Sequence, residues 1–279
     1  MSAPEPEFKS HTMKSPPKKI TKLILIMLFL PMLPAQAAEF SESQPTILIT
    51  GANRGLGLEF ARQYAAQGWN VIASCRSPRK AMELKRLRDE YTHVAVEKLD
   101  VTKDRHVLKL AAKYRDQPID VLLNNAGIYG TLEKQTLGSF DYEELKRVFD
   151  VNTIGSLRVT EAFLDNVKAS EQKKIISLGG GMGTPSIGRL FGGHYFMKMS
   201  KAAHLSAMGT LQTDLKDTGI MIVMISPGRV DTQLMRDSGW TGASIDADKS
   251  AAIVIGLIDN LEPEMNGRLV LYNGKIVPW

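Results

Sequence analysis

The sequence predicts an α/β protein built on a doubly wound, mainly parallel, seven-stranded sheet with helices on both faces. Short runs rich in apolar and β-branched residues alternate with amphipathic helical patterns, which is typical of βαβ units on a parallel sheet. The first run also leads directly into a glycine-rich turn and a helical pattern, as in dinucleotide-binding folds. The 279 residues, 43% of them hydrophobic, suffice for one such domain.

The predicted elements follow one another along the whole chain without a repeat. Strands are expected at residues 46–50, 70–75, 94–99, 120–124, 174–178, 220–226 and 268–272. Helices are expected at residues 56–67, 78–91, 103–115, 142–167, 194–218 and 246–260. Two irregular segments, 179–193 and 227–245, each follow a strand, so we expect them at the carboxyl edge of the sheet, where open α/β folds bind ligands.

Residues 1–37 are predicted to be an N-terminal extension and signal peptide, and residues 38–279 a single domain. Lysines precede an apolar run over residues 23–33, and Ala35-Gln36-Ala37 then forms a small-x-small cleavage pattern. Prolines interrupt this run, which is also shorter than the roughly 20 apolar residues that a membrane span needs. We therefore expect cleavage near Ala38 and a periplasmic protein without a stable membrane span. A leader without function would leave the protein in the cytoplasm.

The charge balance argues against a nucleic-acid partner. The formal net charge is +5, but residues 1–37 carry five Lys and two Glu, so they contribute +3 and residues 38–279 only +2. Cys75 is the only cysteine, so no intramolecular disulfide can form. We expect no metal site.

The turn after the first strand predicts a dinucleotide site and a Rossmann-type fold. It reads Thr50-Gly51-Ala52-Asn53-Arg54-Gly55-Leu56-Gly57 and opens into a helix. The first glycine permits a tight turn, the second lets the backbone approach the pyrophosphate, and the third allows close helix packing. The helix N-terminus then faces the phosphates. The predicted cofactor contacts of this turn are Gly51, Asn53, Arg54, Gly55, Leu56 and Gly57.

The charges after the second strand favour NADP(H) over NAD(H). Arg76 and Arg79 follow this strand, and no carboxylate appears before Glu83. A ribose diol is usually held by an acidic residue at this point, whereas a 2′-phosphate is held by Arg or Lys. Arg76 is therefore the predicted 2′-phosphate contact, and Arg54 adds a second cation.

Further motifs resemble the short-chain dehydrogenase/reductase family over nearly all of residues 38–279. Asn124-Asn125-Ala126-Gly127, Asp100-Val101 and Pro227-Gly228 each follow a predicted strand, as the family's nicotinamide-side motif, adenine contact and carboxamide turn do. Asn152 and Lys201 resemble its catalytic asparagine and lysine. The resemblance implies the cofactor contacts Asp100, Val101, Asn125, Ala126, Gly127, Lys201, Pro227 and Gly228.

The pattern is closest to the sniffer-like and C-signal-like carbonyl reductases of this family. The paired Gly192-Gly193 and the chain's last residues, from Tyr272 onward, carry this part of the resemblance. Members pair through the helices that correspond to residues 142–167 and 194–218. The resemblance therefore implies a homodimer or homotetramer.

Two residues at the expected reaction centre differ from the family pattern. In the family, a Ser orients the carbonyl oxygen and a Tyr four residues before the Lys protonates it. Here Gly180 occupies the serine position and Met197 the tyrosine position. A thioether has no proton to give. The resemblance implies an NADP(H)-binding oxidoreductase by ancestry, weak or inactive in carbonyl reduction.

The alternative is an active NADPH-dependent oxidoreductase of small carbonyl or alcohol substrates with a rearranged acid. Tyr195 and His194 are candidates for this acid. Thr184 and Ser186, in the glycine-rich segment 179–193, could supply a hydroxyl. Tyr195 lies six residues before Lys201, so a helical projection places it on a different face from an i,i+4 partner. A third hypothesis is that an exported chain binds no nucleotide, because NADP(H) is chiefly a cytoplasmic cofactor.

The leader hypothesis makes a direct prediction. The protein recovered from its native host should begin at or near Ala38 and fractionate outside the cytoplasm, because the leader is removed during export. N-terminal sequencing of the fractionated protein measures this. Soluble cytoplasmic chains that retain residues 23–33 would contradict the hypothesis.

Overall fold

One mainly parallel sheet organises the protein. The computed structural model describes Met1, Pro4 and residues 38–190 and 192–278. The strands of these residues are β1 (Thr46–Thr50), β2 (Asn70–Cys75), β3 (Val94–Lys98), β4 (Val121–Asn124), β5 (Lys174–Leu178), β6 (Met221–Ser226), β7 (Leu269–Leu271) and β8 (Ile276–Val277). Their order across the sheet is β3-β2-β1-β4-β5-β6-β7-β8. The doubly wound α/β fold is therefore confirmed, while the predicted signal peptide lies outside the described residues apart from Met1 and Pro4.

Helices cover both faces of this sheet. Those of the described residues are α1 (Gly55–Ala66), α2 (Met82–Glu90), α3 (Asp104–Lys113), α4 (Tyr142–Phe149), α5 (Gly155–Ala162), α6 (Leu164–Lys168), α7 (Pro185–Gly188), α8 (Tyr195–Asp214), α9 (Gln233–Arg236) and α10 (Ala247–Asp259). Ile47 and Ile49 of β1 pack into one apolar cluster with α1 and α10, and Leu48 into another with α3, α5 and α8. Burial on both faces explains why the central strands are apolar without alternation.

The sheet has eight strands, so the predicted count of seven is wrong. The eighth strand, β8, pairs antiparallel with β7 at the edge. Gly274 turns the chain at φ +80°, and the backbone N–H of Leu271 donates to the carbonyl of Lys275 at 2.9 Å. An Asn-Gly turn of this kind is typical of a hairpin. The strand was missed because two residues are too few to show periodicity.

The predicted helix over residues 142–167 is wrong as one continuous element. A π turn at Asp150–Ile154 separates α4 from α5, and a further break precedes α6. Asn152 donates to the Ile128 carbonyl at 2.9 Å and Thr153 to the Ser200 carbonyl at 2.8 Å. Both bonds join segments distant in sequence, so helical periodicity could not indicate the π turn.

Short helices also lie in both segments predicted to be irregular. The helix α7 falls within residues 179–193, and α9 within residues 227–245. Each begins after a threonine whose hydroxyl accepts a backbone N–H, from Ile187 to Thr184 at 3.3 Å and from Met235 to Thr232 at 3.4 Å. Threonine caps of this type satisfy N–H groups that a helix start leaves unpaired.

Hydrogen bonds join the turns that follow β1 and β4, where the strand order reverses. The hydroxyl of Thr50 accepts the backbone N–H of Asn125 and of Ala126, each at 3.0 Å. The Asn125 side-chain amide donates in return to the carbonyls of Thr50 at 2.7 Å and Gly51 at 3.1 Å. The two turns are therefore held as one unit, which we call the switch-point clamp.

Removing the clamp hydroxyl should destabilise the protein. Thr50→Val keeps the side-chain shape but removes the acceptor of two partly buried N–H groups, and only that of Asn125 keeps another acceptor, the Leu123 carbonyl at 3.0 Å. We expect a cost of about 1 to 3 kcal/mol. Urea unfolding measures this change in the free energy of unfolding. Thr210→Val on the exposed face of α8 is the matched control, with an expected change within about 0.5 kcal/mol. Equal destabilisation by both variants would contradict the role assigned to Thr50.

Candidate active site at the carboxyl edge of the sheet

A cleft of about 950 Å³ opens at the carboxyl edge of the sheet, beside the switch-point clamp. Open α/β sheets bind ligands at this position because the loops of neighbouring strands diverge there. All fifteen cofactor contacts predicted from the sequence line it: Gly51, Asn53, Arg54, Gly55, Leu56, Gly57, Arg76, Asp100, Val101, Asn125, Ala126, Gly127, Lys201, Pro227 and Gly228. Residues from six separate parts of the chain thus meet in one cavity.

The glycine-rich turn has the geometry of a phosphate cradle. Gly51 and Gly55 adopt φ values of +69° and +55°, which side chains rarely adopt. A Cβ atom at Gly57 would lie 2.4 Å from the Gly51 carbonyl oxygen and 2.5 Å from the Asn125 amide nitrogen. The turn therefore packs against the start of α1 with no room for a side chain. The first N–H groups of α1 are left to bind an anion.

The ends of β2 and β3 form the other wall of this half of the cleft. Arg76 is exposed there, and among the described residues no carboxylate forms an ion pair with it. The Asp100 carboxylate accepts from the backbone N–H of Thr102 at 3.1 Å and from its hydroxyl at 2.8 Å. Burial opposes ionisation of Asp100, but these bonds and the charge of Arg76 lower its pKa below the usual value. The guanidinium of Arg76 thus remains available to bind a negatively charged ligand.

Lys201 is buried on the opposite wall. Its ammonium donates to the carbonyl of Leu178, at the end of β5, at 2.9 Å. Burial lowers the pKa of Lys201 to about 8, because a charged amine is costly where water is excluded. This hydrogen bond aims the amine at the cleft without help from a neighbouring phenol.

Asn152 lies behind the cleft wall rather than on it. Its side-chain oxygen accepts the Ile128 N–H at 2.9 Å, and its nitrogen donates to the Ile128 carbonyl at 2.9 Å and the Ser200 hydroxyl at 3.0 Å. The side chain therefore fastens the loop after β4 to α8. The catalytic role that the family resemblance implies for Asn152 stays a prediction.

The two departures from the family pattern both face the cleft. Met197 is 7% exposed, and its sulfur lies 3.7 Å from the Asn152 amide nitrogen. Gly180 has extended backbone angles, φ −128° and ψ 134°, that any residue adopts. A Cβ atom there would approach nothing closer than 3.9 Å, at Lys201. Neither strain nor crowding requires glycine at position 180.

Tyr195 does not line the cleft. Its ring is partly exposed on α8 and packs edge-on against Phe140, with ring centroids 4.8 Å apart. The helical projection of the sequence likewise places Tyr195 on a different face of α8 from a residue four positions before Lys201. Thr184 is likewise engaged, because its hydroxyl donates to the Gly181 carbonyl at 2.7 Å and caps α7.

His194 lines the cleft together with a residue that the sequence analysis missed, Tyr129. The Tyr129 hydroxyl lies 2.7 Å from Nδ1 of His194, and the rings meet edge to face. Burial raises the pKa of Tyr129 to about 12. Burial and the positive charge of Lys198 lower the pKa of His194. Tyr129 follows the Asn124–Gly127 motif by two residues, which was the only available signal.

The remaining wall belongs to the predicted substrate loops. It presents Met182 and Ile187 from one loop and Leu234, Met235 and Trp240 from the other. The Arg229 guanidinium lies over the Trp240 ring, 4.3 Å from its centroid. This end is mainly apolar and also presents Arg229 and Asp237, which suits a small organic substrate.

No helix among the described residues has the length and apolar character to cross a bilayer. Nor do their His, Cys, Asp and Glu side chains gather into a group of three that could hold a metal ion.

Comparison with known sequences gives an independent assignment. The sequence profile of the family described as short chain dehydrogenase matches residues 45–241. C-signal of Myxococcus xanthus is 37% identical over 162 residues, which cover 58% of this chain and 93% of the relative. The 1-hydroxy-2-glutathionyl-2-methyl-3-butene dehydrogenase of Rhodococcus sp. strain AD45 is 30% identical over 241 residues, 84% of this chain and 99% of the relative.

Solved structures agree with the sequence comparison. NADPH bound carbonyl reductase from chicken fatty liver is similar with a TM-score of 0.78 and 26% identity, covering 85% of this chain and 99% of that one. Carbonyl reductase Sniffer of D. melanogaster is similar with a TM-score of 0.76 and 30% identity, covering 85% and 100%. Because the profile spans more than half of the sequence and the fold agrees, this chain belongs to the short chain dehydrogenase family.

Proposed function

We propose that the protein binds NADP(H) in the cleft and is weak or inactive as a carbonyl reductase by the family's Ser–Tyr route. One observation carries this proposal. The predicted cofactor contacts all line one cleft, while Met197 and Gly180 stand on its wall where the proton donor and the orienting hydroxyl are expected. The substrate, if the protein turns one over, is a small carbonyl or alcohol.

The residues present fit a dinucleotide. The cradle disfavours side chains at Gly51 and Gly55 through their positive φ values and has no space for one at Gly57, and it would hold the pyrophosphate at the start of α1. Asp100 and Val101 would contact the adenine end, and Lys201 the nicotinamide ribose. When bound, NADPH supplies a hydride to a carbonyl carbon. The solved relative from chicken fatty liver is described as NADPH bound, which supports the same cofactor here.

Arg76 supports NADP(H) rather than NAD(H). It lies in the cleft at the end of β2 and has no carboxylate partner among the described residues. A guanidinium can bind a phosphate through two parallel hydrogen bonds, whereas a ribose diol is normally held by a carboxylate. The wall beside Arg76 offers Asp100, but that carboxylate is held by Thr102.

The missing acid supports weak reduction. A carbonyl oxygen that gains negative charge needs a proton, and general acid catalysis is worth about 10²- to 10⁴-fold. The Met197 thioether cannot supply this proton, and Gly180 offers no hydroxyl to align the oxygen. A specific observation nevertheless favours a second candidate function, slow reduction through another acid, because His194 lines the cleft with a phenol against its ring.

Assembly and location complete the proposal. Exposed apolar side chains lie on the helices through which relatives are expected to pair, including Tyr142 of α4, Ile154 of the π turn and Met199 of α8. A second copy of the chain would bury these apolar side chains, which supports a homodimer or homotetramer. Export to the periplasm rests on the leader pattern alone, and an export signal that fails would leave the protein in the cytoplasm.

Reversing the charge of Arg76 should remove the cofactor preference. The natural protein is expected to bind NADPH about ten- to a hundredfold more tightly than NADH, since a charge-assisted phosphate contact is worth about 1.5 to 3 kcal/mol. Arg76→Glu should erase most of this difference. Fluorescence titration with both nucleotides measures it. Arg79→Glu, in an exposed arginine that does not line the cleft, is the control and should keep the preference.

Equal affinity of the natural protein for NADPH and NADH would refute the assignment of Arg76. Loss of the NADPH preference in both charge variants would indicate that it depends on the overall positive charge of this surface and not on a contact with Arg76. Absence of binding to either nucleotide would support the third hypothesis, a cleft that holds no cofactor.

Restoring both missing groups should restore reduction. In Gly180→Ser with Met197→Tyr, a phenol returns to the face of Lys201 and a hydroxyl enters the open space at position 180. NADPH-dependent turnover of an aldehyde, ketone and quinone panel should rise by at least about 10²-fold over the natural protein. Absorbance of NADPH measures the rate.

The matched control combines Gly180→Ser with Met199→Tyr, because Met199 lies on the same helix but is 46% exposed. This variant should gain nothing. An equal gain in the control would contradict the geometric explanation, and robust turnover by the natural protein would contradict weak reduction.

A further inference from the structure

The neighbourhood of Met197 contains a titratable group. His194 precedes Met197 by one helical turn, at the start of α8, and both side chains line the cleft. The residues between them, Tyr195 and Phe196, pack against Phe140 instead. The imidazole is therefore close in the chain to the position that lacks an acid and opens into the same cavity.

The backbone of His194 holds a conformation that most side chains avoid. Its φ is +57° and its ψ is +33°, in the left-handed region, and it follows Gly192 and Gly193. Residues other than glycine are uncommon in this region, and such strained positions cluster at functional sites. The left-handed turn directs the ring back toward the loop after β4, where Tyr129 meets it.

The contact with Tyr129 determines which ring nitrogen carries the proton. The Tyr129 side chain is almost fully buried, with 4% of the residue exposed, and its hydroxyl lies 2.7 Å from Nδ1. Among the described residues, Nδ1 is the one group within hydrogen-bond distance of this buried hydroxyl, so we assign the phenol as the donor and Nδ1 as the acceptor. In a neutral imidazole the other nitrogen, Nε2, then carries the hydrogen.

The Nε2 hydrogen is available to a ligand. Among the described residues, no hydrogen bond joins Nε2 of His194 to a protein group. Burial and the charge of Lys198 lower the pKa of His194, so the ring is mainly neutral at pH 7 and the Nε2–H state predominates. A catalytic acid–base residue is commonly oriented by a third group on its far side, and Tyr129 holds that place for His194.

We propose that His194 is the proton donor for the reduction that this cleft supports, and that Tyr129 positions its ring. The inference rests on the proposed binding of NADPH. The carbonyl carbon receives the hydride that NADPH supplies, and the C=O π pair becomes a lone pair on oxygen. The Nε2 proton passes to that oxygen while the Tyr129 phenol proton passes to Nδ1. Nε2 then takes a proton from solvent while the Nδ1 proton returns to the phenolate, so one carbonyl, one NADPH and one proton yield one alcohol and one NADP⁺.

The assignment explains how turnover can persist without the family's tyrosine. In the family the transferred proton starts on a phenol, whereas here it starts on an imidazole that lies between a phenol and the substrate. This longer path and the absent hydroxyl at position 180 both reduce the rate. Slow reduction that depends on His194 is therefore expected.

Kinetics of two single variants test the roles. His194→Asn keeps a residue that tolerates the left-handed conformation and an oxygen for the Tyr129 hydroxyl, but removes the transferable proton. With the full chain, NADPH and an activated quinone, kcat should fall about 10²-fold in His194→Asn and about tenfold in Tyr129→Phe. The dissociation constant of NADPH should change less than about twofold. Tyr91→Phe, in a tyrosine that follows α2 and does not line the cleft, is the control and should match the natural protein.

Nitrogen NMR provides a readout that does not depend on turnover. In the NADP⁺-bound natural protein, the His194 resonances should show the Nε2–H tautomer, and Tyr129→Phe should shift the population toward Nδ1–H. A ring that shows no tautomer preference, or the same preference in Tyr129→Phe, would overturn the positioning role. These resonances are identified by their loss in His194→Asn.

The outcomes separate the two proposals. NADPH binding with equal kcat in the natural protein and His194→Asn would overturn the inference and leave the proposed function standing. NADPH binding without any turnover would do the same. A failure of the natural protein to bind NADPH would overturn the proposed function and this assignment with it.

Discussion

The switch-point clamp is the constraint on which the cleft depends. Strands β1 and β4 are neighbours whose chains leave toward opposite sides of the sheet, so their turns would diverge without a link. The Thr50 hydroxyl and the Asn125 amide instead bind each other's backbones. The amide also fills the space above Gly57 that a side chain would take. The same few hydrogen bonds thus shape the phosphate cradle and hold the loop that carries Tyr129.

A second link sets the position of α8 across the cleft. Asn152 and Thr153, in the π turn, reach both the loop after β4 and the backbone of α8. Lys201 is fixed separately, by the Leu178 carbonyl. Met197 therefore stands in a well-ordered wall, next to a buried amide. The absence of a phenol at that place is a change of chemistry, not a result of a distorted helix.

Much of the fold and of the cofactor half of the site could be predicted from the sequence. The apolar runs and the glycine spacing depend on local physics, a buried parallel strand and a turn without side chains, and those signals are visible in one dimension. The parts that were missed depend on tertiary contacts. The π turn requires the distant backbones of Ile128 and Ser200, and the strand β8 is too short for a pattern. The pairing of Tyr129 with His194 joins residues 65 positions apart, with no spacing rule to indicate it.

The distribution of roles among elements explains how binding and chemistry could separate in this chain. Most groups that would hold the dinucleotide follow β1 to β4, and two of them, Gly57 and Asn125, are also needed for packing at the clamp. Gly180 and Met197 stand where the family has its orienting serine and its acid, and neither is needed for packing at the clamp. Gly180 has open space beside it, and Met197 has a buried apolar side chain. Selection for a stable fold therefore preserves the cradle even where turnover is not selected. An intact glycine turn is consequently weak evidence for catalysis in this family, and the side chains at positions 129, 180, 194 and 197 carry the information that distinguishes a reductase from a binding protein.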